Sequence, residues 1–145
     1  MAHYAMTLRT TRSATDVFDL LADMRNAASW DPGVTSVIRA DQPASSDGVA
    51  VGTVFLVEVK FVGRSRTTPY TVTEYSRPDR LVLVGEDDWI RSVDTVTVVP
   101  AESGCDVTYE AVLDLKKAAV FSPLLDVAFR GVGRRAEEGL TKALT

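Results

Sequence analysis

Six polar side chains recur among hydrophobic neighbours in the middle of this sequence: Arg66, Tyr70, Glu74, Ser92, Asp94 and Tyr109. Their types suit proton transfer, because a tyrosine hydroxyl can donate and a carboxylate can accept once each lies within hydrogen-bond reach of a substrate with a suitably shifted pKa. The catalytic candidates are therefore Tyr70 and Tyr109 as donors, with Glu74 and Asp94 as bases. The same groups also suit plain recognition, since a tyrosine joins an apolar ring to one hydroxyl that orients a largely apolar ligand. A blander reading stands beside both: tyrosines packed in a core with satisfied hydroxyls, and carboxylates at a solvated sheet rim. Burying an unpaired carboxylate is expensive, so Glu74 and Asp94 each need water, a partner or a ligand.

Nucleophilic and metal chemistry find little support. His3 is the one histidine and Cys105 the one cysteine, which disfavours a zinc site and any Ser-His-Asp or Cys-His unit. Cys105 follows Gly104 in an expected turn and reads as a bystander thiol. No metal and no cofactor is expected. A single cysteine permits no internal disulfide, in keeping with a reducing compartment.

The polar set shares one face only if the strands that carry it pair in a particular register. From Thr53 onward the punctuation predicts an antiparallel meander. A turn at Gly63-Arg64 sets Phe61 opposite Arg66, Val59 opposite Thr68, Val57 opposite Tyr70 and Phe55 opposite Val72. A turn through Arg77, Pro78 and Asp79 sets Leu81 opposite Glu74 and Leu83 opposite Val72. Bending at Asp87-Asp88 places Ser92 opposite Leu83 and Asp94 opposite Leu81. The last bend, Pro100 to Gly104, pairs Val98 with Val107, Val96 with Tyr109 and Asp94 with Ala111. All four hairpins put the more apolar set on one face, as a half-buried sheet requires.

Helices close the layout. Ser13 followed by Asp16 resembles a capping box for a short helix carrying Val17, Phe18 and Leu21. A second short helix through Met24 to Trp30 stops at Asp31-Pro32, because the residue before proline is pushed out of helical geometry. Before them, His3 to Thr10 alternates as a first strand with Tyr4, Met6 and Leu8 on one side; after them, Val34 to Ala40 is a second strand and Gln42 to Gly52 a polar loop. The segment Ser122 to Leu144 opens with Ser-Pro, a cap and a first-turn residue, and repeats Leu125, Ala128, Phe129, Val132, Ala136, Leu140 and Ala143 at helical spacing. Gly131, Gly133 and Gly139 interrupt it, and at least one is expected to allow close approach of the sheet or room for a ligand.

A chain of 145 residues with 46% hydrophobic and 25% charged residues is ordinary for one soluble domain, 1–145. The net charge of −4 argues against nucleic acid as a partner, and Arg130, Arg134 and Arg135 read as a solvated helix face. Neither a signal-like N-terminus nor a long apolar run is present, so the expected location is cytoplasmic, without stable membrane insertion.

The stretches Val17–Asp23, Trp30-Asp31-Pro32, Val51-Gly52-Thr53 and Val72–Leu81 (VTEYSRPDRL) resemble the START-like helix-grip superfamily, also called SRPBCC, over nearly the whole chain. The resemblance implies an α+β fold, β-α-α-β6-α, in which a curved antiparallel sheet of about seven strands wraps a long C-terminal helix around a hydrophobic pocket. It implies polyketide cyclase, dehydrase or lipid-transport chemistry but carries no catalytic set. The favoured function is non-catalytic binding of an apolar lipid, isoprenoid or polyketide-like molecule by Trp30, Phe55, Val57, Val59, Tyr70, Val72, Leu83, Ser92, Asp94, Val96, Tyr109, Leu125, Phe129 and Val132. The alternatives are a metal-free cyclase or dehydratase in the same cavity, and a protein-interaction module. A monomer or weak homodimer is expected.

Overall fold

The computed structural model describes residues 2–40, 48–61, 63–116 and 122–145, the side chains at 61 and 122–129 excepted. In chain order the elements are β1 (Ala2–Thr10), α1 (Ala14–Ala22), a 3-10 helix (Met24–Ser29), β2 (Val34–Arg39), β3 (Val54–Phe61), β4 (Arg64–Ser76), β5 (Arg80–Glu86), β6 (Ile90–Ala101), β7 (Gly104–Leu115) and α2 (Ser122–Leu144). The strands form one antiparallel sheet in the order β1-β7-β6-β5-β4-β3-β2. With the long C-terminal helix this is the helix-grip architecture. The second helix is a 3-10 turn rather than an α-helix. No helix among the described residues is long and apolar enough to cross a membrane.

Local chemistry accounts for the joints. Ser13 Oγ accepts from the Asp16 N–H at 3.1 Å and caps α1, whose Val17, Phe18 and Leu21 are buried. Strand β1 alternates, with Met6 buried and Tyr4 and Leu8 half-buried on the inner side. Gly104 sits at φ 140°, and a Cβ there would overlap the Thr10 carbonyl oxygen, so β7 can start hard against the end of β1 only with glycine. Thr10 Oγ1 in turn donates to the Leu144 carbonyl at 2.7 Å, which ties the last turn of α2 to the same corner.

The expected faces hold except at the end of β4, where Glu74 is outward, while the registers need correction in three hairpins. Phe55, Val57, Val72, Leu83 and Val96 are all at most 1% exposed on the inner face. Between β6 and β7 the pairing is as expected: Val98 with Val107, Val96 with Tyr109, Asp94 with Ala111. Between β3 and β4 it lies two residues away from expectation, with Phe55 opposite Tyr70, Val57 opposite Thr68 and Val59 opposite Arg66. Between β5 and β6 the offset is again two, with Leu83 opposite Asp94 and Leu81 opposite Val96. An even offset leaves every side chain on its face. The β4–β5 pair departs differently. Val72 meets Leu83 as expected, but a bulge follows, and Tyr75, not Glu74, faces Leu81.

That bulge changes which side chain enters the fold. Tyr75 turns inward and its ring meets Phe18 edge to face at 5.4 Å. Glu74 turns outward into solvent, where Arg80 Nε donates to its carboxylate at 3.0 Å.

Candidate functional site

Helix α1 packs across β6 and β7 and, with Phe18 and Tyr75, fills one part of the concave face. Beside that filling lies a cavity of about 200 Å³. Its walls come from β1 (Tyr4, Met6), the end of α1 and the 3-10 helix (Leu21, Met24, Ala27), the inner strand face and α2 (Val132, Gly133, Ala136). Trp30 ends the 3-10 helix, with its N–H donating to the Ala27 carbonyl at 3.1 Å, and its ring stands edge to face with Tyr109 at 6.2 Å.

Part of the polar lining is gathered around Asp94, while Asp23, Lys60 and Arg66 also border the cavity without hydrogen bonds to that group. Ser92 Oγ donates to Asp94 Oδ1 at 2.6 Å, and the Tyr109 hydroxyl donates to Asp94 Oδ2 at 2.6 Å. Ser92 also interacts with the Tyr70 hydroxyl. Tyr70 can lie flat across its neighbour strand because the residue opposite it is Gly85; a Cβ there would come within 2.5 Å of the ring. Asp31 adds a second carboxylate. It leaves the 3-10 helix with its N–H on the Ala27 carbonyl at 2.8 Å, and its Oδ1 accepts from the Gly33 N–H at 2.9 Å, a tight Asx turn that aims the side chain.

Electrostatics in this cluster follow from burial. Desolvation raises the Asp94 carboxyl above the usual carboxylate range, against the lowering effect of its two hydroxyl donors, and the charge of Asp31 raises it further. Burial likewise raises Asp31, partly offset by the Gly33 N–H. The Tyr70 and Tyr109 hydroxyls are raised by burial first and by the Asp94 carboxylate second, so both hold their protons firmly. The arrangement can donate hydrogen bonds from two neutral phenols and exchange protons through two carboxylic acids.

A raised carboxyl has a measurable signature in stability. Its contribution is fully present below the unfolded pKa, about 4, and is lost as pH rises through the higher folded pKa. Asp94→Asn cannot ionise, so its stability relative to wild type should improve as pH climbs from about 4 toward neutrality. Any cost of the altered hydrogen bonds is common to every pH. Urea unfolding of both proteins across that interval measures the difference, and a constant offset would rule the shift out.

Of the side chains expected from sequence, Trp30, Val57, Val59, Tyr70, Leu83, Ser92, Asp94, Tyr109 and Val132 border the cavity. Phe55, Val72 and Val96 do not; they are fully buried in the packed core beside it. Glu74 lies on the outer face, away from it. Leu125 and Phe129 lie outside the described side chains. Sequence reasoning left out Asp31, Tyr4, Met6 and Met24, all of which border the cavity. The one signal for Asp31 was the Asp-Pro-Gly run, which reads as a helix stop until the Asx turn is seen.

Comparison with known proteins agrees with this architecture. The structure of a START superfamily protein from Mycobacterium smegmatis superposes with a TM-score of 0.82 at 13% identity, covering 99% of this chain and 97% of that one. The Zhui aromatase/cyclase from a Streptomyces species gives 0.74 at 13% identity, covering 98% and 90%. The di-domain aromatase/cyclase StfQ from the steffimycin biosynthetic pathway gives 0.70 at 13% identity, covering 99% of this chain and 50% of that chain. No curated protein matches by sequence. The family model described as polyketide cyclase / dehydrase and lipid transport matches residues 1–144, and with a helix-grip fold built over the same span the chain belongs to that family.

Proposed function

We propose that the protein binds an apolar small molecule in the cavity between the sheet and α2, with the ligand's polar end against Tyr70, Tyr109, Asp94 and Asp31. The observation that carries this reading is the contrast within one cavity: walls mostly of Met, Val, Leu and Ala, with Ser92, Asp94 and Tyr109 hydrogen-bonded to one another among them. Such a site orients a ligand by a few convergent groups and holds it by burial. The reading takes the protein to act in the cytoplasm, as a monomer or weak homodimer, without nucleic acid. Native mass spectrometry of protein purified from its own host tests it: a co-purifying apolar molecule is expected, and an empty protein that also fails to take up a solvatochromic dye would overturn it. For a pure binder, Tyr70→Phe and Tyr109→Phe should each weaken the captured molecule by about one hydrogen bond, roughly 0.5–1.5 kcal/mol.

A second reading is favoured by the raised carboxyls. A cyclase or dehydratase would use Asp94 as base and Tyr70 or Tyr109 as donor, and a carboxyl moved upward by burial is suited to proton exchange nearer neutrality. Product formation from a poly-ketone separates the two: under this reading Asp94→Asn cuts turnover by roughly 10²–10⁴-fold while substrate still binds.

A further inference from the structure

Three carboxylates border the cavity; Asp23 is paired with Arg25 at 2.7 Å, and among the described residues no cation pairs with Asp31 or Asp94. Arg66 borders the cavity but donates to Asp87 Oδ2 at 3.1 Å, with its guanidinium 5.4 Å from the centre of the Trp89 ring. Lys60 borders it too, and forms no ion pair with Asp31 or Asp94. Asp94 has both oxygens engaged by neutral hydroxyls. Asp31 has one oxygen on the Gly33 N–H, and its other oxygen accepts from no described residue. Both acids border the same cavity, and there the charge of Asp31 raises the Asp94 carboxyl and the Tyr70 and Tyr109 hydroxyls.

A neutral apolar ligand would make this arrangement worse. Filling the cavity expels the water that solvates the free Asp31 oxygen, and an unpaired carboxylate in a dry site is costly. A carboxylate ligand adds a further like charge beside the two unpaired acids. A cation does the opposite, because it answers both acids at once and restores their ionised forms. The remaining walls suit a cation as well. Trp30, Tyr70 and Tyr109 present three aromatic rings around the same region, and ring faces attract ammonium groups most strongly where water is excluded.

We propose that the cavity selects an amphiphilic amine, an apolar body ending in a protonated nitrogen that lies between Asp31 and Asp94 against the rings of Trp30, Tyr70 and Tyr109. This rests on the reading that the cavity takes an apolar small molecule, and it names the polar group such a molecule carries. Asp31 supplies the free acceptor. Asp94, fixed by Ser92 and Tyr109, supplies a second negative charge in a set position. Tyr4 closes the far wall, its hydroxyl held by Glu137 on α2 at 2.9 Å.

The test compares naphthylethylamine, naphthylethanol and naphthylacetate, which share one ring system and differ in charge, by calorimetric titration of the full chain at neutral pH. The amine should bind about tenfold or more tightly than the alcohol, and the acid most weakly. Asp31→Asn should remove most of the amine's advantage while leaving the alcohol's affinity near wild type. Alcohol binding as tight as amine binding in the wild-type protein overturns the proposal and leaves the apolar-ligand reading standing. An amine preference that survives both Asp31→Asn and Asp94→Asn overturns the assignment of these carboxylates. Absence of binding by all three probes overturns the apolar-ligand reading and this proposal together.

Discussion

Replacing Trp30 by alanine should destabilise the protein by roughly 3–5 kcal/mol, the usual cost of truncating a buried large aromatic. The ring is only 8% exposed and belongs to the core cluster that includes Met24, Ala27 and Leu140. The residue joins three parts of the molecule: its ring meets the Tyr109 ring on β7, its N–H closes the 3-10 helix, and its carbonyl lies against Gly139 of α2. A domain of this size is stable by about 5–15 kcal/mol in total, so the variant should unfold at far lower urea concentration. Its Nε1–H is buried with no partner among the described residues, which gives the prediction a second arm. Phenylalanine at this position loses no hydrogen bond and should recover most of the lost stability. An unchanged urea midpoint in Trp30→Ala would show that the ring contributes no packing.

The second large effect concerns two glycines on one helix that should respond in opposite directions. Alanine is favoured over glycine inside a helix by about 0.8–1.0 kcal/mol. At Gly131 nothing lies within 4 Å of the position a Cβ would take, so Gly131→Ala should stabilise by about that amount. At Gly139 the same atom would overlap the Trp30 carbonyl oxygen, with Pro32 Cδ 3.7 Å away. Backbone cannot rotate aside as a side chain can, so α2 has to lift from the 3-10 helix. Gly139→Ala should therefore lose at least the roughly 1–3 kcal/mol typical of an overpacked core, despite the better helix former. Gly133 falls between, because its Cβ would meet the Tyr4 ring at 2.7 Å and that ring can yield toward the cavity. Thermal melts of the three variants measure the order, and stabilisation at all three positions would refute close packing of this helix.

Much of the fold was legible because hydrophobic alternation fixes which side of a strand faces inward, and that property survives an error of two residues. What alternation does not fix is where a hairpin turns. In the β3–β4 hairpin Phe61 already pairs with Arg64, with Gly63 at φ 75°, so the loop is shorter than the sequence suggested. After β5 the Asp87 carboxylate accepts from the Trp89 and Ile90 N–H groups and holds a turn centred on Asp88-Trp89, one residue further on, which offsets the pairing by two. The bulge between Val72 and Glu74 had no glycine to announce it, and it exchanged an expected cavity base for Tyr75. The site was less legible for a different reason. Ser92, Asp94 and Tyr109 sit on adjacent strands and could be brought together by register, whereas Asp31 arrives from a helix exit across the molecule.

The pairing of the first strand has a consequence for how the chain assembles. Every contact from β2 to β7 joins neighbours in sequence, so each hairpin can form as soon as its two strands exist. Strand β1 pairs with β7, where Ala2 meets Leu113 and Thr10 meets Cys105, across nearly the whole intervening sequence. Closing a loop of that length carries an entropic cost that no local turn relieves. During synthesis from the N-terminus β1 is therefore made first and docked last, and α2, which packs on β1, cannot seat before it. The cavity wall formed by Tyr4 and Met6 is then a late product of folding, and until it closes the inner face of the sheet stays open to whatever apolar molecule is at hand.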